Sequence, residues 1–304
     1  KRHPGALLAI ETGTHCRWVA GVAGELGHEV LVGNARKLRV IWQSSRKGDW
    51  RDAEMLARIA RSDRRLFHPV KLRNAGGQRL MRLVKSRDVL VRNRTAIVNQ
   101  VRGFCKSEGA PLPRCSAEAF ANLKELLPPE VMDVACHLFE VLQGLNDKIK
   151  RYDKIIAKAL KRLRGGDAAL LDSIAGVGPV TAAAFLAAVG DPAAFGSARE
   201  AGPYFGLAPR RDQSGATDKQ LRISKEGNQV VRRLLVTAAN YIMGPFGKDC
   251  DLRRHGMRIA ERGGKNARKR AKVAVARKLA VVMLAILRNR TACRPLAEDA
   301  GPVA

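Results

Sequence analysis

The chain has 304 residues, 46% of them apolar, and 56 Lys and Arg residues against 28 Asp and Glu residues give a formal net charge of +28. The apolar fraction is enough to bury real cores, which excludes a disordered tail and suggests about two or three domains. A surplus of positive charge repels itself unless phosphates or an acidic surface neutralise it, so nucleic acid is the favoured partner.

The first elements of the chain alternate between strand and helix patterns. The apolar run 6–10 predicts a buried strand that ends at Glu11, followed by a helix over 15–26 and a short strand over 29–32. A further helix is expected to start at Asp49 as its N-cap residue, with Asp52 in the first turn. This order predicts an α/β fold for the N-terminal part.

Three acids in this part have the chemistry of metal ligands. Glu11 stands at a strand end, and Asp49 and Asp52 are one helical turn apart. Mg²⁺ takes oxygen ligands, and two such ions can clamp the attacking and leaving oxygens of a phosphodiester. Acids at a helix start are also favoured by capping and by the helix dipole, so the spacing alone leaves both interpretations open.

Two long amphipathic helices are predicted in the middle of the chain. A Gly- and Pro-containing linker at 108–113 separates them, and the second helix spans roughly 129–163. The first has apolar residues at helical intervals: Leu80, Val84, Val91, Val98 and Val101. Such a pair suggests an antiparallel hairpin or coiled-coil arm, which often serves dimerisation.

The segment 174–181 has the form of a helix-hairpin-helix turn. Gly176 and Gly178 would let the backbone approach a phosphate, and the helix that opens at Pro179 would offer its free N–H groups. An ordinary turn between two helices is the alternative.

A loop-rich stretch is predicted over 202–227, with Ser214 followed by Gly215. A serine in such a loop can project its hydroxyl as a nucleophile, although Ser-Gly is also a common turn dipeptide and no histidine accompanies it as a base. Nearby cations could hold a scissile phosphate and stabilise the charge of the transition state. They are Arg210, Arg211, Lys219, Arg222 and Lys225.

The C-terminal part is the most basic, with 14 Lys and Arg against three acids between Phe246 and Arg290. Its longest apolar run, 279–287, is far short of the ~20 residues that a membrane-spanning helix needs, so no membrane partner is expected. The cysteines and histidines lack the spacing of a zinc site, and the cysteines are expected to be reduced thiols in a cytoplasm. The absence of a P-loop motif gives no support to ATP hydrolysis.

Five motifs follow one another along nearly the whole chain. They are Ile10-Glu-Thr-Gly-Thr-His15, Asp49-Trp-Arg-Asp-Ala-Glu-Met-Leu-Ala57, Ile174-Ala-Gly-Val-Gly178, Phe205-Gly-Leu-Ala-Pro209 with Gln213-Ser-Gly215, and Ile223-Ser-Lys-Glu-Gly-Asn228 with Arg232. In this order they resemble the bridge-RNA-guided DEDD transposases of bacterial insertion sequences, a family related to the Piv-type DNA invertases.

The resemblance implies three domains. A ribonuclease H-like (Holliday-junction-resolvase-like) domain is expected over 1–66, a helical coiled-coil and dimerisation arm over 67–165, and a mainly helical, serine-bearing transposase domain with the helix-hairpin-helix over 166–304. It also implies that Glu11 is the glutamate of the acidic tetrad, that Asp49 and Asp52 are its last two aspartates and bind Mg²⁺, and that Ser214 joins DNA covalently.

The function implied by the resemblance is DNA strand cleavage and exchange for an insertion sequence. The expected partners are double-stranded DNA, both element ends and target, and a guide (bridge) RNA. A homo-oligomer in the bacterial cytoplasm, associated with the nucleoid, is the expected state.

The chain departs from the family pattern at its start. The family's first aspartate lies several tens of residues before the glutamate, whereas ten residues precede Glu11 here. We therefore expect a truncated N-terminal domain without its first strands and first aspartate, and weak or no DNA cleavage. A catalytically inactive nucleic-acid-binding remnant is the main alternative, and an unrelated basic scaffold, which would need neither Ser214 nor the acids, is a third.

Overall fold

The structure, a computed structural model, describes residues 3–38, 48–215 and 217–294. The described part is mostly helical and contains two small sheets of two strands each. The chain divides into two compact units, residues 1–73 and 74–304. The division into three domains at residues 66 and 165 stays a prediction.

The N-terminal unit consists of β1 (Leu7–Glu11), α1 (Cys16–Glu25), β2 (Glu29–Gly33) and α2 (Asp49–Ser62). The two strands pair in parallel, with Glu11 opposite Gly33. The predicted α/β order is therefore confirmed. The N-cap of α2 is Gly48, not Asp49 as predicted, because Gly48 is the residue with extended backbone (φ −170°, ψ 141°). Asp49 and Asp52 both lie in the first turn, where the helix dipole favours acids.

The N-terminal unit has a small hydrophobic core next to Gly33. Phe67, Leu38 and Ala60 are buried, and they pack with Ala9, Leu31, Leu56 and Ile59. A Cβ atom on Gly33 would lie 2.6 Å from Phe67 Cε1 and 2.8 Å from Leu38 Cδ1. The end of β2 can approach the Phe67 ring only because residue 33 has no side chain.

The C-terminal unit begins with α3 (Ala75–Ser107), a 3-10 helix (Ala119–Leu126) and α4 (Pro129–Asp172). The side chain of Asn74 caps α3 by accepting a hydrogen bond from Gly77 N at 2.8 Å. Helix α4 has a kink at Arg164 (φ −147°, ψ 38°) and then continues to Asp172. The predicted end of the helix at residue 163 coincides with this kink.

Helices α3 and α4 are antiparallel. Arg87 of α3 pairs with Asp153, whereas the later residue Arg94 donates to the earlier Asn146, whose Oδ1 lies 2.9 Å from Arg94 NH1. One core at the far end of the pair is built around Val101, Phe120 and Phe139 and is separate from the main core of the unit. The predicted antiparallel pairing is confirmed, and coiled-coil packing and dimerisation stay predictions.

The remaining elements are α5 (Pro179–Val189), α6 (Ala201–Tyr204), β3 (Pro209–Ser214), β4 (Thr217–Ile223), α7 (Gln229–Ile242), α8 (Asp251–Glu261) and α9 (Ala267–Asn289), with short 3-10 turns at Pro192–Ala194 and Ala198–Glu200. Helix α5 is buried on every face from Thr181 to Val189, and α3, α4 and α7 pack against it. None of the described helices is both long and apolar enough to cross a lipid bilayer.

The stretch 202–227 was predicted to be rich in loops, and this expectation is wrong for residues 209–223. Residues 209–214 and 217–223 form the two strands of an antiparallel hairpin, β3 and β4. Nearly all its residues are polar and exposed on both faces, so the alternation of apolar and polar residues that marks a half-buried strand is absent.

We expect Gly33→Ala to lower the free energy of unfolding of the N-terminal unit by about 1–3 kcal/mol, because the new methyl group overlaps the Phe67 ring. All three tryptophans precede residue 74, so tryptophan fluorescence during urea unfolding reports on this unit. Gly21→Ala is the matched control: it lies in α1 with nothing within 4 Å of its Cβ position, so it should leave stability unchanged or raise it. Equal midpoints for Gly33→Ala and the wild type would contradict the tight packing.

Candidate functional site

The N-terminal unit carries its three candidate acids on β1 and α2. Glu11 is the exposed last residue of β1, and α2, with Asp49 and Asp52 in its first turn, packs against that strand. The next residue, Thr12, donates its backbone N–H to Gly33 O at 2.8 Å and accepts from Ala35 N at 3.1 Å through its hydroxyl. These bonds tie the end of β1, and with it Glu11, to the end of β2.

The carboxylates have suitable chemistry for Mg²⁺, but they do not form a complete metal site. Within residues 3–38, 48–215 and 217–294, no three His, Cys, Asp or Glu side chains lie close enough together to hold a metal ion. Mg²⁺ requires near-octahedral oxygen coordination and is usually held by one or two carboxylates together with waters and phosphates. Glu11, Asp49 and Asp52 are thus not gathered into a group of three potential ligands in the described residues.

Ser214 lies at the exposed tip of the β3–β4 hairpin. It is the last residue of β3 and pairs in register with Thr217. The following Gly215 has φ +53°, in the left-handed region that favours glycine. Among the described residues, no side chain forms a hydrogen bond with the Ser214 hydroxyl. A substrate can reach this hydroxyl, and no general base of the described chain contacts it.

The register of the hairpin shows that the candidate cations lie on different faces of the two strands or beside a shift in their pairing. Residues opposite each other in an antiparallel pair share a face, and neighbours along a strand alternate. The pairs Ser214–Thr217 and Asp212–Lys219 therefore lie on one face, and Arg211 lies on the other. Arg210 and Arg222 lie beside a shift in register between the pairs Pro209–Ile223 and Arg211–Gln220. Lys219 is thus a predicted cation that shares a face with Ser214.

Arg211 is engaged within the hairpin. Its guanidinium forms two hydrogen bonds with the Asp218 carboxylate, one of them from Nε at 2.7 Å. This pair raises the pKa of Arg211 further above its usual range. The pair is exposed, so a phosphate can compete with Asp218 for the guanidinium.

Two glycines fix the base of the hairpin to the helical core. Gly206 has φ +66°, and a Cβ there would lie 2.3 Å from the backbone of Glu226. Gly227 has φ +73°, and a Cβ there would lie 2.1 Å from Tyr204 O. Lys225, predicted as a phosphate-binding cation, has φ +56° and donates its backbone N–H to Gly206 O at 3.1 Å. Its backbone is therefore part of this base.

Arg232 of α7 bridges the two sides of the same base. Its NH1 atom donates to Phe205 O at 3.1 Å and to Glu226 O at 2.7 Å. The neighbouring Asn228 caps α7 by accepting from Val230 N at 3.0 Å. The sequence contains no sign of these contacts, because their acceptors are backbone carbonyls distant along the chain. Asp212 and Arg232 are the residues of this region whose placement sequence reasoning missed.

The turn between α4 and α5 uses its two glycines differently. Gly176 has φ +87° and packs against α7, where a Cβ would lie 3.1 Å from Tyr241 Cδ1. Gly178 is the N-cap of α5, and nothing lies within 4 Å of its Cβ position. It provides no side-chain cap for the first N–H groups of α5. An uncapped, open helix start is the geometry that a phosphate contact requires.

Several arginines of the basic C-terminal helices form hydrogen bonds and ion pairs within the fold. Arg253, for example, donates to Ile242 O at 2.7 Å and to Gly244 O at 2.6 Å. Other arginines bind backbone carbonyls or acids of the same unit: Arg254, Arg270, Arg288 and Arg290. The cations that remain for an external polyanion are fewer than the net charge suggests.

Two protein families match the chain in the parts that carry these residues. A DEDD-type model described as a transposase, of the IS110 group, matches residues 2–107, which include the three acids. The model of the transposase IS116/IS110/IS902 family matches residues 168–249, which include Ser214 and Arg232. Transposases of the DEDD type typically use a divalent metal ion.

Curated relatives agree with these matches. The chain is 29% identical over 299 residues to a probable family 20 transposase of Pseudomonas aeruginosa, which covers 96% of this chain and 87% of the relative. A pilin gene-inverting protein of Moraxella bovis is 34% identical over 123 residues, 40% of this chain and 37% of that protein. The transposase for insertion sequence element IS1111A of Coxiella burnetii is 30% identical over 256 residues, 82% of this chain and 69% of the relative. By these matches, the chain belongs to the IS110/IS116/IS902 family of transposases.

Proposed function

We propose that this chain cleaves and exchanges DNA strands for an insertion sequence, with Ser214 as the nucleophile. The observation that carries the proposal is the exposed Ser214, whose hydroxyl has no hydrogen-bond partner among the described residues, at the tip of a hairpin whose base is bound to a basic helical unit. Relatives named as transposases and as a gene-inverting protein supply the substrate class, double-stranded DNA of element ends and target.

The chemistry is a transesterification at phosphorus. Ser214 Oγ attacks the phosphorus atom and loses its proton to solvent, while the bond from phosphorus to the leaving deoxyribose oxygen breaks and that oxygen takes up a proton. The serine phosphodiester keeps the energy of the broken bond. A hydroxyl group of another strand then attacks the same phosphorus and loses its proton, which re-forms a DNA phosphodiester. The bond from phosphorus to Ser214 Oγ breaks, and that oxygen takes up a proton.

The cations of the hairpin are proposed to hold the scissile phosphate. Lys219 shares the Ser214 face, and Arg210 and Arg222 lie where the register shifts. Arg211 is proposed to exchange Asp218 for a phosphate, and Lys225 to contact the backbone at the hairpin base. Gly176 and Gly178, in a helix-hairpin-helix arrangement, are proposed to hold the flanking duplex through backbone N–H groups.

The α3–α4 arm is proposed to join copies of the chain into a homo-oligomer. Three apolar residues of α4 are exposed, Val134 by 59%, Val141 by 50% and Ile155 by 46%. Val141 follows Val134 by seven residues and Ile155 follows Val141 by fourteen, a spacing that lines up on one face of a coiled coil. We further propose a guide RNA as partner and action in the bacterial cytoplasm at the nucleoid, both by extension from the family resemblance.

A catalytically inactive nucleic-acid-binding remnant is the second candidate function. The observation that favours it is that Glu11, Asp49 and Asp52 are not gathered into a metal site in the described residues. Both functions require DNA binding, and they differ in whether Ser214 reacts.

We expect this chain to form a covalent adduct with DNA through Ser214. The test substrate is an element end with a bridging sulfur in place of the leaving oxygen at the junction with flanking DNA. A thiol, with a pKa of about 8.5, leaves more readily than a hydroxyl and does not re-attack, so the adduct accumulates even where cleavage is weak. A denaturing gel detects the adduct, and mass spectrometry identifies the residue.

Ser214→Ala should abolish the adduct and leave DNA binding within about twofold. Ser224→Ala, at the other end of the hairpin, is the matched control and should still react. An adduct formed by Ser214→Ala would exclude this serine as the nucleophile. DNA binding without any adduct from the wild type would favour the inactive remnant.

We expect Arg232→Gln to loosen the base of the hairpin, because it removes charged donors from Phe205 O and Glu226 O. Hydrogen exchange should become about tenfold faster or more at the backbone amides of Ser224 and Lys225, since a hydrogen bond to a charged group contributes about 1.5–3 kcal/mol. Arg222→Gln, on the hairpin itself, is the control and should leave these amides unchanged. Unchanged exchange in Arg232→Gln would show that the arginine does not hold the hairpin.

Glu11, Asp49 and Asp52 are proposed as the metal-facing acids of the family's DEDD site, and we expect Mg²⁺ to bind this chain weakly. About 10 mM Mg²⁺ should stabilise the N-terminal unit by less than about 1 kcal/mol in urea unfolding followed by tryptophan fluorescence. The double variant Asp49→Asn, Asp52→Asn keeps residues that suit a helix start. It should show the same small stabilisation by Mg²⁺ as the wild type. A stabilisation of about 2.7 kcal/mol, lost in that variant, would instead indicate a tight, preformed site.

A further inference from the structure

A separate group of cations lies where α8 packs against α9. His255 and Arg258 lie one turn apart on α8, and Arg262, the C-cap residue of that helix, follows Arg258 by four residues. The two helices approach closely, because a Cβ on Gly256 would lie only 2.6 Å from Val275 Cγ2 of α9. Lys278 of α9 is near enough for its charge to act on the His255 ring.

Positive charge is in surplus in this group. His255 and Lys278 are half-buried, whereas Arg258 and Arg262 are exposed, and in the part of the chain that the structure describes no ion pair involves any of the four. Two acids lie near them on α8: Asp251 is one turn before His255, and Glu261 is three residues after Arg258. The cations outnumber these two acids, so this part of the surface keeps a net positive charge.

We infer that His255, Arg258, Arg262 and Lys278 form a proton-linked binding site for the phosphates of a nucleic-acid backbone. The inference rests on the proposed function and adds to it a second contact region with its own chemistry. Guanidinium groups bind phosphate oxygens through paired hydrogen bonds, and an ammonium group adds a point charge. A phosphate bound here would offset the positive charge that the two nearby acids leave.

His255 makes the binding depend on pH. In the free protein its burial, together with the charges of Lys278, Arg258 and Arg262, lowers the pKa of His255 below its ordinary value. A bound phosphate opposes these charges and raises that pKa again. His255 then takes up a proton on binding and becomes a further hydrogen-bond donor to the phosphate.

The sign of the effect follows from this proton uptake. His255 has one pKa in the free protein and a higher one in the phosphate complex. Well above both values the ring is neutral in the free and bound states, so the ring does not change the affinity for phosphate. As pH falls through the bound-state pKa the affinity rises, and it stops rising below the free-state pKa. The rise therefore occurs between these two values, around and below the ordinary histidine pKa of about 6.5.

The test measures binding of the full chain to a DNA duplex and to an RNA duplex of equal length by fluorescence anisotropy, at constant ionic strength and at about pH 8 and about pH 5.5. His255→Gln should bind like the wild type at the higher pH. At the lower pH the wild type should bind about 3- to 10-fold more tightly than His255→Gln. The duplex with the larger effect identifies the source of the phosphates.

His137→Gln is the matched control, because His137 is exposed on α4, with Nδ1 3.7 Å from Glu140, and belongs to no cationic cluster. It should keep the full response to pH. The double variant Arg258→Gln, Arg262→Gln should lower the slope of log affinity against log salt by about 2, since each lost phosphate contact contributes about 0.9. Circular dichroism checks that each variant is folded.

A wild-type response to pH in His255→Gln, or an unchanged salt slope in the arginine double variant, would overturn the site while leaving DNA binding by the chain intact. Failure of the wild type to bind either duplex would overturn the proposed function as well. Loss of the pH response in His255→Gln together with the reduced salt slope supports the site.

Discussion

The C-terminal unit depends on the burial of α5 on every side. Its sequence from Thr181 to Val189 is rich in alanine, and these small side chains let α3, α4 and α7 pack closely around it. The ring of Phe185 in α5 packs at a tilt against the ring of Phe205, with the ring centroids 5.2 Å apart, and Phe205 directly precedes the base of the β3–β4 hairpin. The arm and the serine hairpin are thus anchored in one core, so the exposed parts of the unit share a firm support.

Positive charge has two opposed roles in this unit. Arginines such as Arg232 and Arg253 satisfy backbone carbonyls at the ends of helices and turns, where an unpaired carbonyl would be costly to bury. Other cations, such as Arg258 and Lys219, have no such role and add to the repulsion within the folded chain. A polyanion relieves that repulsion, so the same charges that strain the free protein favour its binding to nucleic acid.

The sequence was sufficient where local periodicity determines structure. The strand ending at Glu11, α1 and the two long helices were predicted because their apolar residues recur with the period of a strand or a helix. The β3–β4 hairpin was missed because both of its faces are polar and exposed. The identity of the N-cap of α2 depended on backbone angles at Gly48, which an acid-rich helix start does not reveal.

The candidate site was predictable in its residue types but not in its geometry. Spacing along the chain does not say whether Glu11 and Asp49 are close in space, and the described structure does not gather the three acids. Arg232 could be recognised only as part of a motif, because its hydrogen bonds go to carbonyls about 6 and 27 residues away. Contacts of this kind depend on tertiary packing, for which the sequence pattern carries no local signal.

The exposure of Ser214 fits a nucleophile that must stay inactive until DNA is bound. A serine hydroxyl in water is a weak nucleophile, and in the described chain no base contacts it. In the proposed function its activation comes from the substrate complex, in which a phosphate is held against the cations of the hairpin and water is displaced. An exposed serine also leaves room for a second DNA strand to attack the phosphoserine bond. Strand exchange requires that access, whereas a buried nucleophile with its own base would favour hydrolysis.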